Sequence, residues 1–253
     1  MMNKLNIITQ VLAILILFSC SENMENGSDA SSESGIGQGG SLATFAIKGD
    51  YLYTVEYEKL KVFSLQDPQA PVLVNNIWVG FEIETLFSYK EFLYIGSRGG
   101  MYIFSLENPE EPRNRASVQH FTACDPVVAN DTLAFVTLHS NSNCGNNINQ
   151  LEIYDIKDAD NPVLLNTRGL IEPKGLGLYG NYLIVCDDEI KVFEIKEGQE
   201  GEVAFVTSID KEAFDVIIQN DLLIAVGNEG VYQYTLYKND NTFLVGHLST
   251  INF

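Results

Sequence analysis

Three carboxylates and a set of two histidines and two cysteines carry the residue types best suited to chemistry. Glu84, Asp125 and Asp215 are candidate acid–base groups. Two carboxyl groups roughly 5 to 9.5 Å apart across a glycosidic bond can hydrolyse it, one as acid and the other as base or nucleophile. Oxygen ligands of the same kind also hold hard cations. The competing reading is structural, because aspartate at the start of a strand commonly accepts hydrogen bonds from nearby backbone amides. His120, Cys124, His139 and Cys144 have H-x3-C and H-x4-C spacings instead of the C-x2-C pairs usual at zinc. They therefore allow a Cys2His2 metal site or, in an oxidising compartment, a Cys124–Cys144 disulfide. Cys186 remains as an odd thiol.

A second group suits recognition. Tyr57, Trp78, Phe81 and Phe121, with Arg98, His120 and His139 nearby, are candidate binding residues, and Trp78 is the only tryptophan. Trp, Tyr and Arg dominate interface energetics, although aromatic rings also fill interiors. Composition excludes other classes. The chain has 34 acidic against 15 basic residues, a net charge of −19. Nucleic acid and anionic lipid need clustered Lys and Arg, so neither is expected as a partner. There is no Walker-type loop or GxGxxG, and no cofactor is implied.

The elements that must position these residues repeat. Five segments align: LKVFSL (60–65), MYIFSL (101–106), LEIYDI (151–156), IKVFEI (190–195) and VYQYTL (231–236). Their starts lie 41, 50, 39 and 41 residues apart. Each alternates apolar and polar residues around an aromatic fourth position, as a strand with two distinct faces does. A second strand precedes each, introduced by Gly49-Asp50, Lys90-Glu91, Asn130-Asp131, Gly180-Asn181 or Asn220-Asp221, where Gly, Asn and Asp tolerate tight hairpins. DPxxP-type turns follow in the first two copies, and an outer strand follows in all five. Four short antiparallel strands in about 41 residues cannot bury both faces alone, so the units must stack.

The predicted fold is an all-β, five-bladed propeller, with blades at about 42–82, 83–122, 123–172, 173–212 and 213–253. A monomer is expected, its ring closed by packing of blade five on blade one with help from residues 249–253. In a meander of this kind the binding candidates fall in loops on one face. Counting back from each turn pair places Thr44, Thr85, Asp125, Gly175 and Asp215 at the axial mouth on that face. The 50-residue interval reflects a polar insertion, HSNSNCGNNIN, in blade three. The pattern of turn, LYxV strand, LxVFSL strand and DPxxP resembles the LVIVD-repeat β-propellers. That resemblance covers residues 42 to 253 and implies an exported propeller without a defined chemistry.

The N-terminus predicts the address. Lys4, an apolar run from Ile7 to Phe18 and the ending Leu17-Phe18-Ser19-Cys20 have signal-peptide proportions. The run is too short to span a bilayer. LFSC resembles the lipobox of bacterial lipoproteins, which implies a signal peptide at 1–19 and lipidation of Cys20; an ordinary secretory signal is the alternative. Ser21 after the cysteine favours the outer membrane, facing the periplasm or the cell surface. Residues 20–41 are polar enough to serve as a flexible tether with a reach of about 25 Å. Together these features predict a membrane-anchored module that binds an envelope protein or glycan. The alternatives are a glycoside hydrolase using the axial carboxylates and a scaffold subunit of an envelope complex.

Overall fold

The computed structural model describes residues 39–119, 126–140, 148–196, 198–199, 201–239 and 242–253. The described residues form twenty strands in five four-stranded antiparallel sheets, with no helix among them. Blade one comprises β1 (Phe45–Lys48), β2 (Tyr51–Glu56), β3 (Lys59–Ser64) and β4 (Val72–Trp78). Blade two comprises β5 (Ile83–Tyr89), β6 (Phe92–Ser97), β7 (Gly100–Ser105) and β8 (Arg113–Gln119). Blade three holds β9 (Val127–Ala129), β10 (Leu133–Leu138), β11 (Gln150–Asp155) and β12 (Val163–Gly169). Blade four holds β13 (Leu176–Tyr179), β14 (Tyr182–Cys186), β15 (Ile190–Ile195) and β16 (Val203–Ile209). Blade five is β17 (Asp215–Gln219), β18 (Leu222–Gly227), β19 (Gly230–Asn239) and β20 (Thr242–Asn252). The propeller architecture expected from the repeat is the one observed.

The aromatic fourth position has a definite task. In every blade the pairing of third and fourth strands shifts register at that residue: Phe63, Phe104, Tyr154, Phe193 and Tyr234. Such a bulge bends and twists the outer strand. In blades two to five the ring packs into the core shared with the preceding blade. Four apolar clusters result, joining blades one and two, two and three, three and four, and four and five.

No such cluster of described residues joins blade five to blade one. Phe63 is only half-buried, whereas its counterparts in the other four blades are buried. Phe45 in β1 is 55% exposed, whereas Leu176 at the same repeat position in β13 is fully buried at 0%. A hollow of about 550 Å³ lies against this face of blade one, lined by Phe45, Ile47, Leu52 and Thr54 among others. The opposing positions of blade five, Leu222, Ile224 and Val226, are half-buried, while their blade-four equivalents Tyr182, Ile184 and Cys186 are buried. Among the described residues the expected apolar packing of blade five on blade one is therefore absent, and Ile251 and Phe253 near the C-terminus are exposed.

A polar clasp links the two blades instead. Ser41 Oγ donates to Asp215 Oδ1 at 3.0 Å, and the Leu42 amide donates to Oδ2 at 3.2 Å. Ser41 Oγ also accepts from the Leu176 amide at 2.7 Å. Two residues on, the Ala43 carbonyl accepts from the Leu86 amide at 2.7 Å. One short lead-in thus bonds to blades two, four and five. Gly40 and Ser41, expected within the tether, are buried parts of the propeller.

Candidate functional site

The loop face of blades one and two gathers most of the binding candidates that lie within the described residues. Tyr57 sits in the two-residue turn between β2 and β3 and is 79% exposed. Trp78 ends β4 and Phe81 follows in the crossover, at 56% and 67% exposure. Their rings meet edge to face, 5.8 Å between centroids and 82° between planes. This is a favoured aromatic geometry. Glu82 and Arg98 close the next loop pair through an Arg98 Nη1 to Glu82 Oε1 bond of 2.8 Å and an Arg98 amide to Glu82 carbonyl bond of 3.0 Å. Phe81, Glu82, Arg98, Tyr102 and Gln119 line a cleft of about 200 Å³.

The backbone beneath this patch is strained. Tyr57 has φ of 56° and Glu82 has φ of 51°, the left-handed region that disfavours side chains with a Cβ. The two are coupled, since the Ile83 amide donates to the Tyr57 carbonyl at 2.9 Å. Strain of this kind concentrates at functional sites. Gly80 permits the crossover to run close to Tyr102, because a Cβ there would lie 2.2 Å from the phenolic oxygen. Sequence reasoning did not single out Glu82, Gly80 or Tyr102; the spacing of Glu82 from Arg98 is the only signal that could have suggested a pair.

The other candidates separate from this patch. His139 follows β10, half-buried. The base of the blade-three insertion beside it is latched by Asn149, which was not anticipated. Its Oδ1 accepts from the Ser140 amide at 2.7 Å and its Nδ2 donates to the Ile171 carbonyl at 2.6 Å. Glu84 is the residue at which β5 slips register against β6. Burial pushes its carboxyl up, the Arg98 charge pulls it back and Glu82 adds to the rise. Asp215 is committed to the clasp, where its Oδ1 also accepts from the Val216 amide at 2.9 Å. Burial raises its carboxyl, opposed by the hydrogen bonds from Leu42, Val216 and Ser41. Cys186 is a buried free thiol, pushed well up by desolvation. Among the described residues no three His, Cys, Asp or Glu side chains converge as a metal site. Cys20, His120, Phe121, Cys124, Asp125 and Cys144 lie outside the described residues, and the disulfide and metal readings with them.

No family model matches the sequence, and none of the curated proteins matches it. Solved structures do. A functionally unknown protein from Desulfotomaculum acetoxidans superposes with a TM-score of 0.68 at 10% identity, over 83% of this chain and 69% of that one. A protein from Lactobacillus plantarum gives 0.65 at 11% identity, over 81% of this chain and 72% of that one. A complex of KlAtg21 with the coiled-coil of AgAtg16 gives 0.54 at 10% identity, over 79% and 75%. Identities this low speak for the fold alone, and that fold is propeller-like.

Proposed function

We propose that this protein is a non-enzymatic binding module of the cell envelope, lipidated at Cys20 and held in the outer membrane. Tyr57, Trp78 and Phe81 are its contact residues for an envelope protein or glycan. The LVIVD-like repeat pattern supports an exported propeller of this kind. The observation that carries the reading is the exposed aromatic patch, raised on a rigid sheet scaffold by two coupled left-handed residues. Large exposed rings on a fixed surface lose little side-chain entropy on binding and bury much area. The KlAtg21 complex is a protein assembly built on a similar fold.

A hydrolase at the axial mouth has one supporting observation, the raised carboxyl of Glu84 at an inner-strand bulge. Against it, both oxygens of Asp215 are engaged by the lead-in. The test is crosslinking in the native cells with pull-down of wild type, Trp78→Ala and Cys20→Ala. A partner retained by wild type and lost by Trp78→Ala supports the patch, and its loss with Cys20→Ala supports the anchor. Equal recovery by all three overturns both assignments.

A further inference from the structure

A groove lies on the opposite face of the ring, where departures from the repeat converge. The hairpin of β19 and β20 is longer than its counterparts, at 10 and 11 residues against 6 to 7 for the third and fourth strands of other blades. The turn after β15 carries Gly198 and Gly201 at φ of 71° and 74°; Gly201 stands where the three earlier blades have Pro71, Pro112 and Pro162, and Gly198 where the first two have Pro68 and Pro109. These two elements, with the β9–β10 and β13–β14 turns, enclose a groove of about 760 Å³. The fold needs none of these departures, since the other blades stack without them.

The lining has a consistent chemistry. Lys157, Lys196 and Lys238 come from blades three, four and five, and Asn130, Asn181 and Gln199 add amide groups. Lys157 pairs with Asp155 at 3.2 Å and Lys196 pairs with Glu194. Lys238 is held by the neutral Asn181 side chain and lies 5.5 Å over the Tyr182 ring, with no carboxylate partner among the described residues. Leu133, Leu165 and Ile195 supply apolar surface. No aromatic side chain is among the described lining residues, so nothing there would stack a nucleobase. Three ammonium groups around one groove is an unusual arrangement in a chain of net charge −19 with only 15 basic residues.

We infer that this groove binds a carboxylated saccharide. Ammonium and amide donors reach its carboxylates and hydroxyls, and the apolar residues meet the C–H faces of its rings. The volume suits a short oligosaccharide better than a lone phosphate, because pockets of about 300 to 1,000 Å³ take ligands of drug size. Charge-assisted hydrogen bonds give the affinity and make it fall with added salt.

The experiment is calorimetric titration of the full chain with tri-galacturonate at low salt, with uncharged galactotriose and inorganic phosphate as comparators. Saturable binding is expected, weakened by salt. Lys238→Ala and Lys196→Ala should each reduce affinity about tenfold, the loss of one charge-assisted bond. Lys238→Arg should bind like wild type. Should Lys238→Ala lower the melting temperature, Lys157→Gln takes its place. No binding by wild type overturns the proposal, as do equal affinity for galactotriose, displacement by equimolar phosphate, or lysine variants that bind like wild type.

Discussion

At the scale of single residues, Tyr57 and Asp215 each hold a position that costs stability. Tyr57 occupies a left-handed turn position that a glycine would take without steric penalty. Tyr57→Gly should leave stability unchanged or raise it by about 1 kcal/mol, while weakening partner capture. Chemical denaturation beside the pull-down checks both halves. A fall in stability would mean the ring is packed and not presented. For Asp215, burial raises the folded carboxyl above its ordinary value. The folded state therefore binds that proton more readily than the unfolded chain. Its contribution is most favourable below the unfolded value and is lost as pH rises through the raised folded value. Melting temperature against pH should show this slope in wild type, and Asp215→Asn should remove it.

At the scale of elements, glycine makes the clasp sterically feasible. A Cβ on Gly40 would lie 2.1 Å from Asp215 Oδ2, and one on Gly175 would lie 2.3 Å from Oδ1. Gly175→Ala should therefore expel the carboxylate and cost about 1–3 kcal/mol, read by denaturant unfolding. Asn149→Ala should cost a similar amount, about 1–3 kcal/mol, by stranding the Ser140 amide and the Ile171 carbonyl. Neither device was legible in the sequence. Gly40 and Ser41 have the composition of the linker that precedes them, and only their partners 135 positions or more away give them a role. The strands were legible because period-two alternation and turn chemistry are local signals. The aromatic fourth position was visible as a column, but its bulge was not, since register depends on the neighbouring strand. The loop-face patch was half legible: topology grouped its rings, while the strain at Glu82 and the cleft beside Tyr102 needed coordinates.

For the molecule as a whole, the seam between blades five and one is the weak interface. Equivalent substitutions should differ sharply across it. Leu176→Ala empties a buried site between blades three and four and should cost about 2–5 kcal/mol. Phe45→Ala removes a larger side chain and should cost under about 1 kcal/mol, since more than half of it already faces water. Matched denaturant curves decide this, and equal losses would mean that the seam closes in solution. Every blade keeps the same strand order, so the sequence showed no place where the ring would differ. The difference shows at Phe63, half-buried in blade one where its counterparts in the other four blades are buried.

The clasp also has a mechanical consequence. The lead-in bonds to blades two, four and five, so tension applied at the N-terminus would load several blades at once. Ser41 and Asp215 lie 174 positions apart in sequence, and their bond carries a pull on the N-terminus directly to the far side of the seam. A strand-by-strand peel from blade one must therefore first shear the clasp. Asp215→Asn should lower the force needed to unfold the protein by pulling on its N-terminus more than it lowers the melting temperature.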